Sequence, residues 1–72
     1  MEVISNILEI LKIPRKPTHI MYLDKGRSNY PQIQRILGRL LEKNFVSENQ
    51  REYVITERGM IFQTMIKEYL NE

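Results

Sequence analysis

Apolar residues recur along much of this chain with the period of a helix, and the clearest pattern covers residues 29–45. In this stretch, NYPQIQRILGRLLEKNF, the apolar side chains follow the i, i+3, i+4, i+7 and i+8 spacing of a helix that buries one face. They are Ile33, Ile36, Leu37, Leu40 and Leu41. Asn29 is predicted to cap this helix, with Gln32 completing an Asn-x-x-Gln capping box and Pro31 in the first turn. Asn44 is predicted to end the helix in the left-handed conformation.

A first helix is predicted over residues 2–13. Its apolar stripe consists of Val3, Ile4, Ile7, Leu8 and Leu11, and Ile10 widens it. Pro14 cannot continue a helix and pushes the residue before it toward extended geometry, so the helix is expected to stop by Ile13. The Pro-Arg-Lys-Pro segment at 14–17 is a stiff, basic connector that can form a bridge of one or two residues to a later sheet.

A short second helix is predicted to follow this connector. Thr18 is the expected N-cap, and the helix is expected to run from His19 to about Lys25 before Gly26 terminates it. Its side chains Ile20, Met21 and Leu23 are available for the core, whereas Tyr22 is expected to be partly exposed.

Beyond the central helix the period of the pattern changes from helical to alternating, which predicts strands. Residues 45–48 and 52–55 are short β-prone runs around a polar tip at 49–51, and together they predict a hairpin. A last helix is predicted to start after its N-cap Thr56 and to reach about Leu70.

The last helix has more apolar surface than the core of a 72-residue chain requires. Its Gly59 destabilises a helix by up to ~1 kcal/mol relative to Ala, so this glycine is expected in a close contact or a turn-like start. One edge of the helix can close the core, and the other edge predicts a two-fold homodimer. The predicted interface residues are Ile10, Ile61, Phe62, Met65, Ile66, Tyr69 and Leu70, beside Met60. The alternative is that these side chains only complete a small core.

Composition argues against several classes of function. The chain has no cysteine and a single histidine, so disulfides, thiolate zinc sites and catalytic triads are not expected. There is no carboxylate pair, no nucleophile beside a base and no phosphate-binding glycine loop, so we expect neither an enzyme nor a metal or cofactor. No apolar run approaches the ~20 residues of a membrane span, and the N-terminus lacks a basic signal region, which favours a soluble cytoplasmic protein.

Charge is distributed unevenly along the chain. Its net charge is only +2, but residues 12–43 contain eight basic and two acidic side chains, a net +6. Residues 1–11 and 44–72 each have a net charge of −2. A basic middle between acidic ends favours a surface that faces a polyanion. The alternative is a scatter of solvated lysines and arginines.

The predicted order is helix, bridge, helix, turn, helix, two-stranded wing and helix. This order is that of a winged helix-turn-helix, which is α+β, mostly α, and residues 1–72 are expected to form one such domain. The helix at 29–44 would then lie in the major groove of DNA, and the wing at 45–55 on the backbone or in the minor groove.

Four sequence motifs also resemble those of the small archaeal winged helix-turn-helix DNA-binding proteins. They are Thr18, Ile20, Met21 and Tyr22; Tyr30 and Gln32; Leu40 to Lys43; and Tyr53, Ile55, Thr56, Glu57 and Gly59. The resemblance extends from Ile4 to Leu70 and implies pairing of two subunits through the C-terminal helix, with relatives in crenarchaeal viruses and plasmids. Two features depart from the family: the turn at 24–27 is about two residues longer, and the final helix is short.

The candidate DNA contacts lie mainly on the central helix, the turn before it and the wing. Gln32 and Gln34 can contact adenine, Arg35 can contact guanine or a phosphate, and the free N–H groups expected near Ser28 and Asn29 favour phosphate. The full set is Lys16, Thr18, Arg27, Ser28, Asn29, Tyr30, Gln32, Gln34, Arg35, Arg39, Gln50 and Arg51. His19 opens the second helix, and a structural role is the better interpretation for it.

These patterns favour a homodimer that binds double-stranded DNA, as a transcriptional regulator with a sequence preference. Its expected partners are DNA and a second copy of the chain, with no membrane, and nothing in the sequence indicates a small-molecule effector. Two alternatives stay open, namely a winged helix used for protein interaction and a non-specific architectural DNA-binding protein. The Gln and Arg side chains on the outer face of residues 29–44 favour DNA over protein.

Overall fold

Four helices and a two-stranded antiparallel sheet follow one another in the predicted order. The computed structural model describes residues 2–25 and 27–70. The elements are α1 (Glu2–Ile10), α2 (Pro17–Leu23), α3 (Tyr30–Glu42), β1 (Val46–Asn49), β2 (Glu52–Ile55) and α4 (Glu57–Leu70). This is the predicted α+β, mostly α, winged helix-turn-helix, and the prediction of the fold class is confirmed.

The end of α1 and the connector after it attach to the second strand of the wing. α1 ends at Ile10, three residues before the predicted limit, and the Leu11 carbonyl accepts a hydrogen bond from the Ile55 N–H at 2.8 Å. Arg15 and Tyr53 then exchange two backbone hydrogen bonds, 2.9 and 2.7 Å long. The predicted bridge from the connector to the sheet is therefore confirmed.

The start of α2 is set by a proline. Pro17 is the first helical residue, and Lys16 is the N-cap with φ −83° and ψ 155°. A residue before proline is held in extended geometry, which is also the geometry that an N-cap requires. The helix therefore begins two residues earlier than expected, and the prediction of Thr18 as its cap is wrong.

The end of α2 also differs from the prediction. The helix ends at Leu23, and Lys25, the predicted last residue, has a left-handed φ of 57°. Ile20 is buried and Met21 partly buried, as predicted, but Leu23 is 36% exposed and its prediction as a core residue is wrong. The predicted terminator Gly26 lies outside the described residues.

The central helix α3 has both predicted end signals. The Asn29 side chain accepts a hydrogen bond from the Gln32 N–H at 2.9 Å, and the Asn29 N–H donates to Gln32 Oε1 at 3.0 Å. Pro31 lies in the first turn, and Asn44 has the expected positive φ of 61°. The capping box, the proline position and the left-handed stop are all confirmed.

The wing is a hairpin with a tight turn. β1 and β2 pair in antiparallel register from Val46 opposite Ile55 to Asn49 opposite Glu52. The first strand is therefore shifted by one residue from the predicted 45–48. The turn residues Gln50 and Arg51 both have positive φ, 53° and 67°, as a type I′ hairpin requires.

The last helix begins at a cap that also holds the end of α3. Thr56 Oγ1 accepts a hydrogen bond from the Gly59 N–H at 3.1 Å and donates one to the Asn44 carbonyl at 2.6 Å. A Cβ atom at Gly59 would collide with the Phe45 carbonyl oxygen and come within 2.7 Å of the Ile55 side chain. The predicted cap and the predicted close contact are both confirmed.

The core draws on all four helices and both strands. Its buried apolar residues are Ile7, Leu8, Leu11, Ile20, Ile33, Leu37, Leu40, Val46, Ile55 and Ile66. Gln63 of α4 is buried and donates to Glu9 Oε2 of α1 at 3.1 Å, which links the first and last helices. Across residues 2–25 and 27–70, no helix is long and apolar enough to cross a membrane.

Candidate nucleic-acid interface

The exposed face of α3 is directed away from the core by three buried side chains. Ile33, Leu37 and Leu40 are at most 4% exposed and fix the orientation of the helix. Arg35 lies about 160° around the helix from Ile33 on a 100° helical step, and Arg39 follows it one turn later. Both arginines are exposed. The face that the sequence predicted for DNA is therefore open to solvent.

Most backbone N–H groups in the first turn of α3 already donate to acceptors within that turn. The N–H of Asn29 and that of Gln32 are taken by the capping box, Pro31 has none, and the Ile33 N–H donates to the Asn29 carbonyl at 3.0 Å. The Tyr30 N–H is the one in this turn without a recorded partner among the described residues. The capping box therefore leaves few N–H groups of this turn for a ligand, and a phosphate contact near Ser28 and Asn29 stays a prediction.

Two exposed side chains on one edge of α3 are joined by a hydrogen bond. Gln34 Nε2 donates to the Tyr30 hydroxyl at 3.1 Å across one turn of the helix. Tyr30 is 37% exposed. The amide of Gln34 has a second N–H besides the one donated to Tyr30, and its oxygen can accept, so both polar atoms stay available to an adenine.

Tyr53 attaches the second strand of the wing to the connector after α1. Burial is the main cause that raises the pKa of the Tyr53 phenol, with a hydrogen bond to Glu48 and the charges of Glu48 and ionised Tyr30 contributing. The backbone of Tyr53 is also paired with Arg15 on its other side. The wing is thus held at its base, while its turn places Gln50 and Arg51 in solvent.

The turn between α2 and α3 is anchored by a buried carboxylate. Asp24 is 2% exposed, and its Oδ1 atom accepts a hydrogen bond from Asn6 Nδ2 of α1 at 2.9 Å. This contact holds the turn against α1. Arg27 lies three residues after Asp24 and is exposed, while Ser28 is only 6% exposed.

A cleft forms where this turn meets α1 and α3. It has a volume of about 220 Å³, and it brings together four of the predicted contact residues: Arg27, Ser28, Gln32 and Arg35. Val3 and Ile36 complete its lining, and sequence analysis placed both only in apolar stripes. The spacing of four residues between Gln32 and Ile36 could have indicated one wall of the cleft. Val3 comes from a distant part of the chain, so no pattern in the sequence indicates the other wall.

The remaining predicted contacts lie apart from this cleft. Lys16, Thr18 and His19 are exposed at the start of α2, and none of them lines the cleft. Within the described residues the recorded ion pair joins Lys12 and Glu9 at 2.8 Å, away from all the predicted contacts. The arginines of the turn, α3 and the wing therefore have no recorded carboxylate partner there.

The apolar surplus of α4 divides into a buried edge and an exposed ridge. Ile61, Met65 and Tyr69 follow one another at four-residue spacing and are 58%, 61% and 75% exposed. A groove of about 210 Å³ runs beside this ridge and is lined mainly by carbon. The other predicted interface residues are Phe62 and Ile10, both partly buried, Ile66, which is buried in the single chain, and Leu70, whose side chain lies outside the described residues.

Comparison with known proteins agrees with this architecture. A search of curated proteins finds no match to the sequence. Winged helix-turn-helix domains typically bind DNA through the second helix of the helix-turn-helix, which corresponds to α3 here. The family model described as winged helix-turn-helix matches residues 1–72, and the chain therefore belongs to the winged helix-turn-helix family.

Proposed function

We propose that this chain is a homodimeric transcriptional regulator that binds double-stranded DNA with a sequence preference. The observation that carries the proposal is the exposed face of α3, where Arg35 and Arg39 lie opposite the buried stripe with no carboxylate partner recorded in the described chain. In this arrangement α3 lies in the major groove and the wing contacts the backbone or the minor groove. The cytoplasmic setting, and the archaeal, viral or plasmid origin implied by the sequence motifs, belong to the same proposal.

Side chains along α3 take different roles in this complex. Arg35 lies in the N-terminal half of the exposed face, where a guanidinium can reach the O6 and N7 acceptors of a guanine. Arg39 lies one turn further along and is assigned to the phosphate backbone. Gln34 is assigned to an adenine, which its second amide N–H and its oxygen can contact.

The homodimer part of the proposal is supported by the exposed ridge of α4. Three large apolar side chains in contiguous helical positions, beside an apolar groove, are unusual on the surface of so small a chain. Pairing two ridges about a two-fold axis would bury them, at about 1.5–3 kcal/mol for each fully buried side chain. Such pairing also presents two copies of α3 to one DNA duplex.

DNA binding is tested by selection from a random duplex pool, followed by gel-shift titration at several salt concentrations. If a dimer neutralises roughly six phosphates, the logarithm of the binding constant falls with log salt at a slope of about −5. An enriched motif supports a regulator with a sequence preference. Binding without an enriched motif supports the architectural alternative instead, and a slope near zero contradicts the electrostatic basis of the proposal.

Dimerisation is tested with a pair of matched methionine substitutions. Met65→Glu places a carboxylate on the ridge, and Met60→Glu makes the same change about 140° away around α4, where the side chain is 49% exposed. We expect the first variant to sediment as a monomer and the second as a dimer, because burying an unpaired carboxylate is strongly unfavourable. A wild-type monomer of 8.7 kDa at micromolar concentration would contradict the proposal.

A further inference from the structure

The cleft between α1, α3 and the turn before α3 has the lining of an anion site. We propose that it binds one phosphate group, supplied either by the DNA backbone or by a free phosphate-bearing small molecule. The DNA source rests on the proposed function, whereas the free source does not. The polar residues lining the cleft are Arg27, Ser28, Gln32 and Arg35, and no carboxylate is among the described side chains that line it.

The polar side chains that face this cleft offer hydrogen-bond donors. Arg27 and Arg35 each carry a guanidinium with five N–H donors and no acceptor. Gln32 has its Oε1 atom engaged by the Asn29 N–H in the capping box, which leaves the Nε2 amide as its free end. Because Gln32 also lines the cleft, this amide is a donor for a ligand there.

Ser28 is the buried polar residue of the cleft. It is 6% exposed, and no hydrogen bond of its hydroxyl is recorded within the described part of the chain. Its hydroxyl can donate a hydrogen bond to a phosphate oxygen in the cleft.

The number of donors favours phosphate over carboxylate. One arginine alone can satisfy a carboxylate with two parallel hydrogen bonds, whereas this cleft has two arginines, an amide and a hydroxyl. A tetrahedral phosphate has more oxygens and can carry more charge, so it uses the additional donors. The apolar side chains of Val3 and Ile36 exclude some of the competing water, which strengthens these charged hydrogen bonds.

The cleft adjoins the proposed DNA surface because Gln32 and Arg35 belong to both. A backbone phosphate beside the groove occupied by α3 would enter the cleft as the helix docks. A free phosphate-bearing molecule in the same place would compete with that backbone phosphate. Given the proposed DNA binding, a free ligand in the cleft would also release the protein from DNA.

The test measures phosphate and duplex binding separately on the same protein. Amide chemical shifts of Val3, Ser28 and Ile36 are followed by NMR during titration with inorganic phosphate, with a 5′-mononucleotide, and with a short random-sequence duplex. Arg27→Ala and Ser28→Ala remove donors of the cleft. Lys67→Ala, on the exposed surface of α4, removes one positive charge outside the cleft and is the control for net charge. Thermal melting confirms that each variant is folded.

We expect cleft resonances to shift with at least one probe and Arg27→Ala to weaken that binding by about ten-fold or more, as loss of a charged hydrogen bond does. Shifts with the duplex alone identify the DNA backbone as the source of the phosphate group. Shifts with inorganic phosphate or the mononucleotide identify a free ligand as its source. Phosphate binding without duplex binding would support the cleft as a phosphate site and contradict the proposed function. Duplex binding that leaves the cleft unshifted, with Arg27→Ala equal to Lys67→Ala, would overturn this inference alone. Absence of shifts with every probe would overturn it as well.

Discussion

The rings of Phe45 and Phe62 stack with their centroids 4.2 Å apart and their planes within 7° of parallel. Phe45 directly precedes the first strand of the wing, and Phe62 lies in α4, so this contact attaches the base of the wing to the last helix. The Arg58 guanidinium lies 5.7 Å from the centroid of the Phe45 ring and adds a cation–π contact. Because Phe62 serves this internal stack and also lines the exposed groove of α4, its substitution would report on folding as well as on dimerisation.

The two described glycines of the helices give opposite expectations for substitution by alanine. Gly59→Ala should destabilise the protein by about 3 kcal/mol or more, because its Cβ atom would collide with the rigid backbone carbonyl of Phe45. A Cβ atom at Gly38 would have no other atom within 4 Å, so Gly38→Ala should stabilise α3 by up to about 1 kcal/mol. Urea unfolding of both variants measures the difference. Equal stability of the two variants would contradict the close contact at Gly59.

The wing turn is held in a conformation that its own residues disfavour. Gln50 and Arg51 have positive φ, which is unfavourable by about 1–2 kcal/mol for a residue with a side chain. Replacing them together by Asn and Gly, the preferred pair for this turn, should raise the free energy of unfolding by about 1–2 kcal/mol. Thermal melting measures the gain, and Arg51→Ala, which keeps the unfavourable φ, is the control. A double variant no more stable than this control would be inconsistent with the type I′ turn.

Local signals in the sequence were sufficient to predict the central helix. The capping box of Asn29 and Gln32 and the stop at Asn44 depend on residues within one turn of each other, so no tertiary information is needed. The cap of α2 was predicted wrongly because Thr18 has the better side chain for capping. Pro17 instead sets the start of α2 through the backbone, because it forces Lys16 into the extended geometry of an N-cap.

Features that depend on packing between distant elements could not be predicted. The period of α4 indicated a surplus of apolar surface but not which side chains the other helices cover, so Ile66 and Ile61 were grouped together although one is buried and the other exposed. The cleft likewise depends on the position of Val3 next to Ser28. That position depends on the packing of α1 beside the turn and on the hydrogen bond between Asn6 and Asp24, which residue spacing does not show.

A small pH dependence of stability should come from Glu9. Its ion pair with Lys12 and its hydrogen bond from Gln63 lower the pKa of this carboxyl below the ordinary value of 4.5. The stabilisation is therefore fully present above pH 4.5 and is lost as the pH falls through the lower pKa of the folded protein. The effect is modest because both side chains of the ion pair are about half exposed, 50% and 49%.

Removing this carboxylate should flatten the acid limb of the stability curve. Glu9→Gln is expected to be less stable than the wild type at pH 7 and to approach it as the pH is lowered below about 4. Glu68→Gln, which removes an exposed acid of α4, is the control. Thermal melting across this pH range measures both variants, and a constant difference between Glu9→Gln and wild type would contradict the assignment.

The roles of α3 and the wing in DNA binding can be separated with two arginines that are both exposed. On a preferred duplex, Arg35→Ala should weaken binding by about 1–3 kcal/mol and reduce the preference among sequences, because a guanidinium in the major groove distinguishes guanine. Arg51→Ala should weaken binding to all sequences about equally and lower the salt slope by about one unit for each protomer, because its expected contact is with the backbone.

Both variants should melt as the wild type does, since neither side chain belongs to the core. Gel shifts on the preferred duplex and on scrambled duplexes, at two salt concentrations, measure affinity, preference and slope together. If Arg35→Ala leaves the affinity for every duplex unchanged, α3 does not lie in the major groove. The exposed face of α3 would then be better explained as a surface for an acidic protein partner, because its arginines can pair with carboxylates of that partner.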